Sequence, residues 1–155
     1  MLDKIISGGQ TGVDWAAIQA AIELKIPYGG FIPKGRKNED GIIPKDYLFI
    51  EMSNGNYKDR TKQNILESDG TLIISYYFMS PGTKLTKDLC FDLKKPLKQY
   101  IIDGTNIDFK ENLKKFIKLN NIRVLNIAGP RESKFPGIYK LSKELIKEWI
   151  IYLKE

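Results

Sequence analysis

Six short apolar runs, each closed by glycine, proline or small polar residues, alternate along this chain with segments of helical period. No other feature of the sequence restricts the fold as much. The runs are Lys4 to Ser7, Tyr28 to Ile32, Tyr47 to Met52, Thr71 to Ser75, Leu97 to Ile102 and Arg123 to Ile127, and each has the length of a strand. Between them Val13, Ala16, Ala17, Ala20, Ala21 and Leu24 keep one helical face until Pro27. Asn56 and Asp108 stand where caps are wanted for helices ending near Ser68 and Asn120. Leu145, Ile146, Trp149, Ile150 and Leu153 share one side of a last helix from about Ile138 to Leu153. Parallel strands need crossover connections and a cover on both faces. The alternation therefore predicts an α/β fold of Rossmann-like type: three layers, α/β/α, around a mostly parallel six-stranded sheet in the order 3-2-1-4-5-6. Pro33 to Asp46 breaks the pattern, carrying proline, glycine and charge without helical period. It reads as a long loop between the second and third strands, a feature that compact folds keep when it serves function.

The 155 residues, 42% hydrophobic, suffice for one full core and not for two, so residues 1–155 are expected to form a single domain. No apolar run reaches membrane-spanning length, and Met1 to Ser7 enters a strand pattern directly; a cytoplasmic protein without membrane attachment is expected. Histidine is absent, which removes the usual general base, the usual zinc ligand and every Ser-His-Asp mechanism. Acid–base chemistry falls to carboxylates, lysine or tyrosine, and no direct protein metal site is expected. The lone Cys90, between Leu89 and Phe91, reads as a small buried residue. The net charge of +6 comes from the C-terminal half, where Lys110, Lys114, Lys115 and Lys118 are interleaved with acids along helix faces. That is the pattern of a solvated surface and not of a nucleic-acid track.

Chemistry points to the loops. Ser7-Gly8-Gly9-Gln10-Thr11-Gly12 lies between the first strand and the first helix, where glycines let backbone amides turn toward an anion and the helix dipole favours it. The competing reading is a well-capped helix start, with Thr11 opening a capping box closed by Asp14. The spacing is not that of the dinucleotide fingerprint, and the second strand ends at Phe31-Ile32-Pro33 without the acid that would hold an adenosine ribose, so NAD is disfavoured. No Gly-Lys-Ser or Gly-Lys-Thr follows a glycine loop, which excludes a Walker-type triphosphatase. A second loop, Ser80-Pro81-Gly82-Thr83, follows the fourth strand with Thr83 as its expected cap. In the expected order the first and fourth strands are neighbours, so both loops face one crevice. The chain uses 21 lysines and only four arginines. Arg36, Arg60 and Arg131 adjoin the suspected ligand loops, where a planar guanidinium suits phosphate. Pairing with Glu39, Asp40, Asp69 or Glu132 is the structural alternative, and Arg123, remote from the crevice, is read as structural. Arg131 follows the sixth strand behind Gly129 and the stiffening Pro130, which makes it a candidate ligand clamp.

These motifs resemble a known family, the molybdenum carrier proteins, within a superfamily of Rossmann-like nucleotide-binding proteins that includes the lonely-guy phosphoribohydrolases and DprA. The matching segments are Ser7 to Asp14, Pro33-Lys34-Gly35-Arg36 with Glu39-Asp40-Gly41, Arg60-Thr61 with Asn64, Ser68 to Ile73, Gly82-Thr83, Asn126 with Ala128 to Ser133, and Pro136 to Tyr139. The resemblance implies a cleft at the strand C-termini, a homo-oligomer and binding of molybdenum cofactor (molybdopterin), a pterin that carries a phosphate. Two positions depart from the pattern: Trp15 replaces a basic residue, and Ser80-Pro81 precede Gly82 where a further glycine is common.

The reading that results is a non-catalytic binding or carrier protein for a phosphorylated nucleotide-like cofactor. Molybdenum cofactor is the first candidate cargo, and a nucleotide or ADP-ribose derivative is the second. Gly8, Gly9, Gln10, Thr11, Gly12, Gly82, Thr83 and Gly129 are expected to offer the backbone, Lys34, Arg36, Arg60 and Arg131 the charge, and Asn64 and Ser133 polar contacts. The alternative is an enzyme, a phosphoribohydrolase acting on a nucleoside monophosphate. Related hydrolases carry a Pro-Gly-Gly-x-Gly-Thr-x-x-Glu loop; Thr86 occupies the glutamate position here, and Asp88 lies two residues on, turned away by about 100° per residue.

Overall fold

The computed structural model describes all 155 residues. Its elements in chain order are β1 (Lys4–Ile6), α1 (Val13–Glu23), β2 (Tyr28–Gly29), β3 (Phe31–Ile32), β4 (Lys37–Asn38), β5 (Gly41–Ile42) and β6 (Ile50–Glu51). These are followed by α2 (Tyr57–Glu67), β7 (Gly70–Ser75), α3 (Pro81–Asp92), β8 (Leu97–Ile101), α4 (Phe109–Leu119), β9 (Val124–Ala128) and α5 (Ile138–Lys154).

Strand composition decides position in the sheet. Every residue of β7 is buried, which is why Gly70–Ser75 shows no alternation: a strand covered on both faces has no polar side. β8, with Lys98 and Gln99 in its middle, is only half-buried along its length and forms an edge. The five strands run parallel in the order β2-β1-β9-β7-β8. The Rossmann-like α/β class holds, but the expected order does not. In terms of the six predicted strands it is 3-2-1-6-4-5, because β9 inserts between the first and fourth. Lys4, Ile5 and Ile6 stand opposite Val124, Leu125 and Asn126 on one side of β9. On its other side Gly70 to Ile73 stand opposite Leu125 to Ala128. Leu125, Asn126 and Ile127 are accordingly buried.

The second predicted strand is broken at Gly30, whose positive φ of 131° and contact with the Ser7 carbonyl exclude any side chain. β2 pairs with β1, and β3, past the break, pairs with β6 instead. The main sheet therefore has five strands and not six. Pro33 to Asp46 is likewise not structureless. It folds into the antiparallel hairpin β4–β5, with Glu39 and Asp40 at the tip.

α1, α4 and α5 supply the larger core, in which Ala16, Ala17, Ala20 and Ala21 let α1 approach closely, and Leu113, Ile117, Ile146 and Trp149 meet Ile5, Leu72, Ile74, Leu125 and Ile127. Each large aliphatic or aromatic side chain buried there contributes about 1.5–3 kcal/mol. α2 and α3 pack against each other, with Ile65, Leu89 and Cys90 between them and the sheet. A third cluster, Ile18, Ile32, Ile43 and Phe49, seats the hairpin region. Asn56 caps α2 by accepting from the Lys58 and Asp59 amides. Asp108 holds the cap position of α4 without a side-chain bond. Arg123 pairs with Asp3 at 2.6 Å, on the far side of the sheet from the loops. No helix is long and apolar enough to cross a membrane.

Candidate functional site

The loops that follow β1, β7 and β9 meet at the C-terminal edge of the sheet, where parallel α/β folds place ligand sites. Because β9 separates the other two strands, its tip stands in the middle of the cleft. The cavity there measures about 290 Å³.

The glycine loop between β1 and α1 differs from the open phosphate cradle that its composition suggests. The Gly9 N–H donates to Ser7 Oγ (3.3 Å), Gln10 N–H to Asp14 Oδ2 (3.3 Å), Thr11 N–H to Gln10 Oε1 (3.0 Å) and Val13 N–H to the Pro130 carbonyl (3.2 Å). Three of its amides and the first amide of α1 are thus already paired. Gly12, at φ 75°, is required because a Cβ would overlap the Pro130 carbonyl and the backbone of Arg131 and Glu132. It lets two loops touch. Nor does the capping box of the competing reading form. Gly12 itself occupies the cap position, and Thr11 Oγ1 donates to Glu39 while accepting the Glu132 N–H.

Asp14 turns back under the loop instead. It is 7% exposed, lines the cleft, and faces Arg60 and the amides of Gln10, Gly8 and Gly129. Burial pushes its pKa up to about 6, against the pull of Arg60 and those amides. Arg60 reaches in from α2, 9% exposed, and donates through Nη1 to the Gly8 carbonyl. Its guanidinium also lies 5.4 Å from the centre of the Tyr57 ring. Burial lowers its pKa from the ordinary arginine value, and Asp14 opposes that shift. Its Nε is buried and has no hydrogen-bond partner.

The opposite wall is the first turn of α3. This helix starts at Pro81, with Ser80 at the cap position, so Thr83 lies inside the helix and is not its cap. Ser80 makes no capping bond to the backbone; its Oγ shares a hydrogen bond with Thr83 Oγ1 at 3.0 Å. First-turn amides have no acceptor within their own helix, and those of Gly82 and Thr83 adjoin the cleft. Around Gly82 there is open space where a Cβ would stand.

A latch closes the back of the site. From the hairpin tip, Glu39 accepts from Thr11 Oγ1, from Ser133 N–H (3.0 Å) and from Ser133 Oγ, with Arg131 Nε 3.5 Å away. Burial would raise the Glu39 pKa, but the Ser133 and Thr11 hydrogen bonds and Arg131 hold it below the ordinary carboxylate range. Asn38 Nδ2 donates to the Gly9 carbonyl and Glu39 N–H to Gln10 Oε1, so the hairpin is stitched to the glycine loop along two residues.

Of the residues expected at the site, Gly8, Gln10, Arg60, Asn64, Gly82, Thr83, Gly129 and Arg131 line the cleft. Asn64 does so while bonding both backbone groups of Phe31. Gly9, Thr11, Gly12 and Ser133 lie outside it, and the hydroxyls of Thr11 and Ser133 are engaged by Glu39. Lys34 is exposed and does not reach the cleft. Arg36 is a strut: its guanidinium donates to the carbonyls of Ile43, Pro44 and Tyr47 and holds the base of the hairpin. Sequence reasoning passed over Asp14, Asn126 and Lys134 as cleft residues. For Asp14 the signal was present, since an acid in the first turn of a helix after a glycine loop can cap it or turn back beneath it.

Trp15 packs against Tyr47, ring centres 4.8 Å apart, and borders a second cavity under the hairpin with Ile42, Pro44 and Tyr139. No group of three or more metal-ligating side chains is clustered anywhere in the chain.

No curated protein matches the chain. Among solved structures it is similar to the crystal structure of a "Putative molybdenum carrier protein" from Syntrophus aciditrophicus SB, at 43% identity and a TM-score of 0.92, over 96% of this chain and 95% of that one. The sequence profile of the circularly permutated YpsA SLOG family matches residues 5–150. With nearly its whole length covered by that match, and with the motif resemblance borne out by the solved relative, the chain belongs to the circularly permutated YpsA SLOG family.

Proposed function

We propose that this protein binds and carries a phosphorylated, nucleotide-like cofactor, with molybdenum cofactor as the first candidate. Its phosphate sits between Arg60 and the first turn of α3. One observation carries the reading: the cleft is lined by three cations, Arg60, Arg131 and Lys134, against a single carboxylate, Asp14. The amides of Gly82 and Thr83, at the positive end of the α3 dipole, provide further donors. Arg131 and Lys134 add charge at the exposed rim. The glycine loop serves as the frame that fixes Asp14 and Arg60, since its Gly9, Gln10 and Thr11 amides are occupied. The Syntrophus relative, described as a "Putative molybdenum carrier protein", supports a carrier role.

Gly82→Glu tests the seat. The new side chain meets open space, and an acid in the first helical turn is favourable, so the fold is retained while the carboxylate competes for the anion position. Calorimetry with ADP-ribose and with molybdopterin should show affinity reduced tenfold or more. Unchanged affinity would remove the α3 turn from the site. The alternative, base release from a nucleoside monophosphate, has one carboxyl to use, Asp14. Asp88 is exposed and does not line the cleft, whereas Thr86 does and donates to the Gly82 carbonyl. Chromatography for free base distinguishes this alternative.

A further inference from the structure

Asp14 is the only carboxylate lining a cleft whose other charged groups are Arg60, Arg131 and Lys134, and binding an anion gives it no obvious task. We propose that the cleft takes up its anion together with one proton, which settles on Asp14. The inference rests on the anion reading above and adds a rule for when the site fills.

The geometry makes the coupling physical. Asp14 and Arg60 are both more than nine-tenths buried in one wall and face each other, so the ionised carboxylate balances the guanidinium that the ligand needs. An arriving anion shares Arg60 with Asp14 and meets a like charge with little water between. A proton on Asp14 removes that repulsion and leaves Arg60 with an unbalanced positive charge. Nothing else around Asp14 serves instead. From α2 it faces Arg60, with Tyr57 on the same wall, and α3 presents only the hydroxyls of Ser80, Thr83 and Thr86. The loop after β9 brings the Gly129 amide, with Arg131 and Lys134 at the rim. Glu39 is engaged behind the loop by Thr11, Ser133 and Arg131. Without any anion, burial already brings the Asp14 pKa to about 6, so the proton is available close to neutral pH.

The test needs an anion that does not itself titrate, because a phosphate monoester has its second pKa near 6. Inorganic sulfate serves, against chloride at matched ionic strength. Carbon-detected NMR of the wild-type protein follows the Asp14 carboxyl from pH 4 to 8, with and without sulfate. Calorimetry in two buffers of different ionisation enthalpy counts the protons taken up. Sulfate should raise the Asp14 pKa by at least about one unit, and for one unit above about 6 its affinity is roughly eightfold higher at pH 5 than at pH 8. Asp14→Asn should take up no proton and bind sulfate about as tightly at pH 8 as the wild type does at pH 5. Sulfate binding with no proton uptake and equal affinity at both pH values would overturn the coupling and leave the anion site standing. So would an Asp14→Asn protein that keeps the wild-type pH dependence. Absence of sulfate binding to either protein at every pH would overturn the anion reading and the coupling together. If the variant does not fold, the wild-type titration and proton count decide alone.

Discussion

Asp14→Asn should make the protein more stable at neutral pH and change it little in acid. The Asp14 pKa lies at about 6 in the folded protein, against an ordinary 3.8. The folded state therefore holds the proton more tightly than the unfolded chain does, and the group's contribution is fully present below about pH 4 and is lost as pH rises through 6. At 1.36 kcal/mol per unit, a shift of about two units leaves the wild type bearing roughly 3 kcal/mol of unrelieved burial at pH 7.5. Asparagine has the same shape and no charge to desolvate. Any change in its hydrogen bonds to the loop amides adds an offset that does not vary with pH. Urea unfolding of both proteins at pH 4, 5, 6 and 7.5 separates the two contributions. The stability difference should move in favour of the variant by about 2.5 kcal/mol across that range, mostly between pH 4 and 6.5. A difference that stays constant with pH, or moves toward the wild type, would refute the buried, burdened carboxyl.

Gly12→Ala should cost about 3 kcal/mol or more, because it combines a positive φ with overlap on the Pro130 carbonyl; urea unfolding at wild-type stability would show that the two loops do not touch. Arg36→Ala should cost about 2–3 kcal/mol through its three carbonyl bonds and leave ADP-ribose affinity unchanged in calorimetry, whereas a lost affinity would return Arg36 to the ligand site. Arg131→Lys should weaken ADP-ribose binding about tenfold, near 1.4 kcal/mol, with a small change in melting temperature. An unchanged dissociation constant with a large melting drop would assign Arg131 to the Glu39 latch alone.

Strand and helix positions were legible because burial on both faces writes itself into composition, as in Gly70–Ser75. Strand order was less legible, although Lys98 and Gln99 in β8 and the leucine and isoleucine flanking Asn126 in β9 distinguish an edge from an interior position. The break at Gly30 depends on contact with the Ser7 carbonyl, which no local pattern contains. Site residues divided in the same way. That Gly8, Gly82, Arg60 and Arg131 gather in one cleft follows from their places after strands or beside loops. Arg36 and Arg60 both adjoin candidate ligand loops in sequence, yet three backbone carbonyls engage one while a buried wall encloses the other. Glu39 was read as a pairing candidate for arginine. The hairpin that brings it to Thr11 and Ser133 consists of two two-residue strands, too short to leave a periodic signal.

The central place of β9 has a consequence for how the molecule is made. β1 with β2, and β7 with β8, are two separate two-stranded ribbons until residues 124–128 arrive to join them, and ribbons of that size are marginal in water. Each keeps an open edge, a hazard for association with other chains, throughout the synthesis of the intervening residues. Lys4 must wait for Val124, so the decisive pairings are among the longest-range the chain can make and set a slow, late and cooperative closure. Asn126 and Gly129 reach the cleft only through that closure. A nascent chain thus completes its larger core and its cleft in one event.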